Sequence, residues 1–182
     1  MSKTALALTA LALLVVAGVA VRSFAADSGT MPEVGQSAPT FTLPNQEGTP
    51  VSLDTYKGKW VVLYFYPKDM TTGCTKEAHN FQNDLEKYKA ENAVILGVSV
   101  DSVDSHKQFC TKDSLTFTLL SDADKKVVKE YGSLGSFGPM IIANRNTFLI
   151  DPQGKIVKVW TKVDPNVHSE EVLAALQGFE KK

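Results

Sequence analysis

The sequence predicts an α/β fold in which a mixed central sheet carries helices on both faces. Two continuous apolar segments rich in β-branched and aromatic residues, 60–66 and 93–100, indicate buried strands. Segments with helical spacing alternate with these strands, as expected of a sheet that is covered on both faces. A turn at residues 151–154, flanked by alternating apolar residues, predicts a closing hairpin with an antiparallel edge.

The other elements follow in order along the chain. A helix is predicted after the first buried strand, because Ala78, Phe81, Leu85 and Tyr88 recur on one face. The segment 132–140, which is rich in glycine, is predicted to be a mobile loop near the active site. The remaining predicted elements are helices at 102–112, 122–131 and 168–181, a short strand at 117–120, and hairpin strands at 146–151 and 155–160.

Residues 1–26 differ in composition from the rest of the chain. Lys3 precedes an uncharged run over residues 5–21, and Arg22 ends that run. Ser23 and Ala25 place small residues at the −3 and −1 positions of a cut after residue 25, as in a secretory signal peptide. The run is also just long enough for a membrane anchor, so both interpretations stay open. Either one predicts a protein outside the cytoplasm, in a bacterial periplasm.

One folded domain is expected after this leader. Residues 27–37 are rich in Ser, Gly, Pro and acids, which predicts a linker, and the domain is assigned to residues 38–182. A hydrophobic content of 43% in 182 residues is enough for one sizeable core. The net charge of −1 without a basic stripe disfavours a nucleic acid as partner. The two cysteines have no CxxC or CxxxC spacing, so no multi-thiolate metal site is available, and the thiol chemistry considered below needs no metal or organic cofactor.

Cys74 has the surroundings expected of a reactive thiol. Pro67 ends the first buried strand, and Cys74 falls in the first turn of the next helix, at the sheet edge where chemistry gathers in α/β folds. Free backbone N–H groups and the helix dipole favour a thiolate there. Thr71 can donate its hydroxyl to the sulfur or a bound oxygen, or cap the helix. A nucleophile is therefore favoured over a structural disulfide, the usual role of two cysteines in an exported protein.

These residues also resemble a known family. Pro67, Thr71 and Cys74 have the spacing of the peroxidatic active-site motif of peroxiredoxins, and residues 64–78 resemble the bacterioferritin-comigratory (PrxQ) branch. Three further segments are similar to that branch in the same order, at 98–102, 118–122 and 147–151. The resemblance implies a thioredoxin-like fold and the reduction of hydrogen peroxide and organic hydroperoxides. It also implies that Cys74 is the peroxidatic cysteine, which becomes a sulfenic acid.

The resemblance implies roles for the neighbours of this cysteine. Pro67 and Thr71 would shape the pocket, and Arg145 takes the place of an arginine that the family uses before a late strand. Arg145 is always charged, so it could stabilise the thiolate and the charge that develops on oxygen, although an isolated arginine is usually solvated or ion-paired. Glu77 could hold Arg145 or the loop, or be an ordinary acid near the helix start.

A second thiol is needed to resolve the sulfenic acid. Many members of the branch carry it five residues after the first cysteine, where this chain has His79. Another subgroup carries it on the helix predicted at 102–112, and Cys110 stands there, so the resemblance implies an intramolecular resolving cysteine. A disulfide needs Cα atoms within about 7 Å, so both helices are expected to unwind locally. His79, His106 and His168 are expected to be surface or capping residues.

The resemblance implies a thioredoxin-like protein as reductant, which must itself be exported if this enzyme is. It further implies a monomer, with membrane contact only if the leader is not cleaved. The alternative function is a non-peroxidase thioredoxin-like module, such as a disulfide exchanger or a copper carrier. Those proteins use CxxC or CxxxC, whereas Glu77 and Ala78 stand at the corresponding positions here.

Overall fold

The computed structural model describes residues 29–180, so the predicted leader lies outside the described residues. The elements in chain order are β1 (Thr42–Pro44), β2 (Pro50–Ser52), a 3₁₀ turn (Leu53–Tyr56), β3 (Trp60–Phe65), α1 (Thr72–Asn83), α2 (Leu85–Ala90), β4 (Ala93–Ser99), α3 (Val103–Asp113), β5 (Thr118–Ser121), α4 (Lys126–Glu130), β6 (Leu134–Phe137), β7 (Met140–Ala143), β8 (Asn146–Ile150), β9 (Ile156–Thr161) and α5 (His168–Glu180). No helix in the described part of the chain is long and apolar enough to cross a membrane.

The predicted mixed sheet is confirmed. Its five strands lie in the order β5-β4-β3-β8-β9. β3, β4 and β5 are parallel, whereas β8 is antiparallel to β3 and β9 is antiparallel to β8. The closing hairpin turns at Gly154, whose φ of 83° favours glycine. The two apolar runs predicted as buried strands are β3, at the centre of the sheet, and its neighbour β4, where both faces are covered.

The topology places both cysteines on one face of the sheet. The crossovers from β3 to β4 and from β4 to β5 run in the same direction, and such crossovers are right-handed, so α1, α2 and α3 share a face. Alternate β3 residues such as Val62 and Tyr64 pack on that face with α5, in the same cluster as Cys74 and Cys110. Leu63 and Phe65 point the other way, toward α4 and the β1-β2 hairpin.

Two local predictions are wrong. The single helix expected after β3 is divided at Asp84 into α1 and α2, where the Asp84 side chain accepts hydrogen bonds from Lys87 and Ser169. The backbone of Asp84 has φ of −92° and ψ of 1°, outside the α-helical region, and this interrupts the helix. The segment 132–140 is not an open loop, since β6 and β7 form an antiparallel hairpin with Gly138 at a φ of 58°. The sequence did not predict these two strands, because glycines interrupt the alternation of apolar and polar residues that indicates a strand.

The residues predicted to be a linker make contacts with the domain. Met31 packs against the cluster on the α4 face of the sheet. The N–H of Gly35 donates to the carbonyl of Ile156 at 2.7 Å, and the N–H of Ile156 donates to the carbonyl of Gln36 at 2.9 Å. The contacts of the domain thus begin before residue 38.

Candidate active site

Cys74 is the third residue of α1. Thr71 is the N-cap, with the extended φ and ψ of −88° and 150°, and its carbonyl accepts the first helical hydrogen bond from Thr75 at 2.8 Å. The N–H groups of residues 72–74 precede the first helical donor, so they have no partner within the helix. Cys74 is 2% exposed and its thiol is free. The sulfur therefore lies at the positive end of a helix, shielded from water.

The loop that leads into α1 is held in a bent conformation. Met70 has a φ of 57°, which is uncommon for a residue other than glycine and turns the chain from the strand into the helix. The Thr71 hydroxyl donates to the carbonyl of Lys68 at 3.0 Å and makes no capping hydrogen bond. Pro67 and Lys68 line a groove together with residues 140–142 of β7. The β6-β7 hairpin thus lies beside this loop.

Arg145 joins the sulfur to a buried carboxylate. Its Nη2 donates to the Sγ of Cys74 at 3.3 Å, and its Nη1 donates to Oε2 of Glu77. A Cβ added to Gly73 would lie 3.4 Å from the same Nη2, so the guanidinium lies directly against the first turn of α1. Glu77 is completely buried, and of its possible roles the structure shows the pairing with Arg145.

Burial dominates the electrostatics of this pair. It raises the pKa of Glu77 to about 7, even though the charge and hydrogen bond of Arg145 oppose the rise. Burial alone would lower the pKa of Arg145, but Glu77 and Cys74 together raise it above its ordinary value. Arg145 therefore stays charged and supplies a fixed positive charge and a donor next to the sulfur.

Tyr64 contributes a buried phenol that the sequence assigned only to a strand. Its hydroxyl has no hydrogen-bond partner among the described residues. Burial raises its pKa well above the ordinary value, and the nearby charges of Glu77, Cys74 and Cys110 raise it further. Tyr64 thus remains a protonated donor close to both thiols.

Cys110 lies on α3, where the sequence placed it, and its thiol is also free. It is half-buried and packs against the cluster that contains Cys74 and Phe109. Burial raises its pKa to about 11, and the negative charges of Asp69 and Glu47 add to the effect. Both cysteine-bearing helices are intact while the thiols are reduced.

The expectation for the histidines is wrong for two of the three. His106 and His168 are completely buried, whereas the His79 side chain is 45% exposed and pairs with Asp113. His168 bonds through Nε2 to the Thr147 hydroxyl at 2.8 Å, and burial, reinforced by the charge of Arg145, lowers its pKa to about 4. Scattered positions along helices gave no sign of this, because burial depends on what packs opposite.

Asp69 is a buried residue that the sequence reasoning missed. Its carboxylate bonds to the Tyr66 hydroxyl at 2.6 Å, the Ser105 hydroxyl at 2.7 Å and Nδ1 of His106 at 2.8 Å. It thereby ties the loop before Cys74 to the first turns of α3. No sequence signal could have found it, because Asp69 lies in a loop without a regular pattern, 37 residues before His106.

Comparisons with known proteins agree with this geometry. The AhpC/TSA family matches residues 34–159. A Coxiella burnetii protein of the Bcp peroxiredoxin type is 49% identical over 148 residues, which cover 79% of this chain and 98% of that protein. Among solved structures, a variant of Xylella fastidiosa PrxQ has a TM-score of 0.79 at 37% identity, covering 84% of this chain and 99% of that one.

A second solved structure comes from work on the alkyl peroxide reduction activity of the Xanthomonas campestris bacterioferritin comigratory protein. It has a TM-score of 0.75 at 35% identity, and the alignment covers 81% of this chain and 99% of that one. The fold is therefore that of the thioredoxin-like peroxiredoxins, as the sequence predicted. The chain belongs to the AhpC/TSA family, and its similarity to the Bcp and PrxQ proteins makes it a thiol-dependent peroxidase of the peroxiredoxin type.

Proposed function

We propose that this chain reduces hydrogen peroxide and organic hydroperoxides with Cys74 as the attacking thiol and Cys110 as the resolving thiol. The observation that carries the proposal is the hydrogen bond from Arg145 to the Cys74 sulfur at 3.3 Å, at a helix N-terminus. The alkyl peroxide reduction studied in the Xanthomonas campestris relative supports the same substrate class here.

In the first step the Cys74 thiolate attacks one peroxide oxygen. A sulfur–oxygen bond forms and the oxygen–oxygen bond breaks, so the sulfur is oxidised to a sulfenic acid and the peroxide is reduced. The leaving oxygen takes up a proton and departs as water or an alcohol. Arg145 and the free N–H groups of Gly73 and Cys74 stabilise the negative charge that develops on the oxygens. Pro67 and Thr71 keep the loop in place beside the sulfur.

In the second step the Cys110 sulfur attacks the Cys74 sulfenic acid. A disulfide forms, the sulfur–oxygen bond breaks, and the oxygen leaves as water. We expect the first turn of α1 and the end of α3 to unwind in this step, because the two thiols lie on separate packed helices and a disulfide needs Cα atoms within about 7 Å. The Cys74–Cys110 disulfide lowers the entropy of the unfolded chain, which stabilises the fold by about 4 kcal/mol for a loop between these two positions. Helix unwinding opposes that gain. The disulfide is therefore one that a partner dithiol can reduce.

The test combines rapid mixing with intact-mass analysis. One equivalent of peroxide should convert the two free thiols into a Cys74–Cys110 disulfide. Cys110→Ser should stop at the sulfenic acid, and Cys74→Ser should not consume peroxide. Peroxide consumption by Cys74→Ser would contradict the role of Cys74. Sustained turnover of Cys110→Ser with a thioredoxin would remove Cys110 from the cycle.

The proposed setting is the periplasm, with a thioredoxin-like protein of the same compartment as reductant and a monomer as the working form. The composition of residues 1–26 supports export, and the absence of CxxC supports the need for an external dithiol. Fractionation of cells that express the full chain, with amino-terminal sequencing, separates cleavage from anchoring. Light scattering of the reduced protein tests the monomer.

A further inference from the structure

A buried aspartate–histidine pair lies between the two cysteine-bearing helices. Asp69 is 4% exposed and His106 is completely buried. The carboxylate bonds to His106 Nδ1 at 2.8 Å and also accepts hydrogen bonds from the Tyr66 and Ser105 hydroxyls. The N–H of Asp69 also donates to the Asp101 carboxylate at 2.9 Å, which fixes the loop. The ring of His106 is therefore held from one side by a rigid acceptor.

The hydrogen bonds determine which ring nitrogen carries the proton. Burial would raise the pKa of Asp69, but the bonds from His106, Tyr66 and Ser105 hold it below its ordinary value, so the carboxylate is ionised. An ionised carboxylate can only accept, so Nδ1 of His106 carries a proton and donates to Asp69. The other ring nitrogen, Nε2, is buried and has no partner among the described residues. A buried polar atom without a partner destabilises the fold, so its retention calls for a reason.

Cys110 stands one helical turn after His106. The two residues are four positions apart on α3, so they share a face of the helix. The Cys110 thiol needs help to react, because a pKa of about 11 leaves only roughly one thiolate in ten thousand at pH 7. Nε2 of His106 thus lies one helical turn before a thiol that has to lose a proton during resolution, and no hydrogen bond joins the two groups in the reduced protein.

We propose that His106, oriented by Asp69, is the proton acceptor for Cys110 in the resolution step. The inference rests on the proposed role of Cys110 as resolving thiol. As Cys110 attacks the Cys74 sulfenic acid, its proton passes to Nε2 of His106 and the imidazolium is stabilised by the Asp69 carboxylate. The sulfur–oxygen bond breaks, and the proton then passes from Nε2 to the leaving hydroxide, which departs as water. No external oxidant or reductant is needed in this step.

The variant that tests the proposal is His106→Asn. The asparagine amide can donate to Asp69 from near the position of Nδ1, so the link between the loop and α3 is kept while the base is lost. His79→Asn is the matched control, since it removes another histidine–aspartate pair that reaches α3 but is 45% exposed. The protein is mixed with one equivalent of hydrogen peroxide and quenched at intervals. Intact mass then follows the sulfenic acid and the disulfide separately.

We expect His106→Asn to form the sulfenic acid at the wild-type rate and the disulfide about 10²-fold more slowly or worse, the usual contribution of a general base. Added imidazole should restore much of the disulfide rate in His106→Asn and leave His79→Asn unchanged. A structural role for His106 does not predict this rescue.

Three results would overturn the proposal. The first is a disulfide rate in His106→Asn equal to or above that of the wild type, which would make His106 neutral or a latch that delays unwinding. The second is an equal loss in both steps, which would indicate a structural defect. The third is a slow disulfide step that imidazole does not restore. A wild-type protein that forms the sulfenic acid without a Cys74–Cys110 disulfide would instead refute the proposed function of Cys110.

Discussion

Replacing Arg145 by methionine should separate the two tasks of this residue. Its Nη2 lies 3.3 Å from the Cys74 sulfur, and at an effective dielectric constant of about 20 a charge pair at that distance is worth roughly 5 kcal/mol at most. Loss of one such donor in other active sites lowers rates by about 10²–10³-fold, or about 2.7–4 kcal/mol. We expect sulfenic acid formation in Arg145→Met to slow by that factor.

The same substitution should also destabilise the fold. Glu77 is completely buried, and Arg145→Met leaves its carboxylate without its ionic partner. Breaking a buried pair from one side costs about 3–5 kcal/mol while the remaining group is charged, so this loss is expected at a pH above the Glu77 pKa, where the carboxyl is ionised. Adding Glu77→Gln removes the unpaired charge, so the double variant should recover much of the free energy of unfolding. It should not recover the rate, because the positive charge next to Cys74 is still missing.

Two measurements on the four proteins of this cycle test the reasoning. Stopped-flow mixing with hydrogen peroxide gives the rate of Cys74 oxidation, and guanidinium unfolding of the reduced protein gives stability. The reasoning fails if the double variant regains peroxide reactivity along with stability. It also fails if Arg145→Met is as stable as the wild type, since Glu77 would then need no partner.

Two further predictions concern packing and pH. In Gly97→Ala the new Cβ would lie 2.7 Å from Leu119 and 2.8 Å from Tyr64, so guanidinium unfolding should show a loss of about 1–3 kcal/mol; an unchanged midpoint would contradict the packing. The folded pKa of Glu77, about 7, is above its ordinary 4.5, so its contribution to stability is present below pH 4.5 and lost as the pH rises toward 7. The folded pKa of His168, about 4, is below 6.5, so its contribution is present above pH 6.5 and lost as the pH falls toward 4. Guanidinium unfolding of each variant and of the wild type should therefore be compared between pH 4.5 and 6.5. Relative to the wild type, the free energy of unfolding of Glu77→Gln should rise with pH and that of His168→Gln should fall, by about 1.4 kcal/mol per pH unit each. A difference from the wild type that does not change with pH in either variant would refute the assignment.

Several features of the active site could be predicted from the chain alone. The position of Cys74 follows from local information, because Pro67 ends a strand whose apolar run is continuous and the helical pattern begins a few residues later. Arg145 required the resemblance to a family, since nothing in its own neighbourhood distinguishes it from a surface arginine. Glu77 stayed open between two roles, because a helix position does not say what lies opposite the side chain.

The buried histidines show where sequence reasoning ended. The predicted helix placed His106 correctly along the chain, but its partner Asp69 lies 37 residues earlier, in a loop with no regular pattern. His168 is buried by its own packing partners, and its ring stacks edge-on against Phe81 and Trp160 from two other elements. No local periodicity reports such pairings.

The sequence by itself determined the five strands of the central sheet in their order along the chain, the mixed character of that sheet and the place of Cys74 at a helix start. These features depend on the spacing of apolar residues along the chain and on the backbone conformations that proline and glycine favour, and both act within a few residues. Only the tertiary structure decided that the Arg145 guanidinium contacts the Cys74 sulfur and that His106 and His168 are buried. It also decided that both cysteine-bearing helices pack on one face of the sheet. The physical reason is that the direction of the crossovers and the packing of side chains bring together residues that are far apart in the chain. The low dielectric constant of the protein interior then shifts the pKa values of the buried groups.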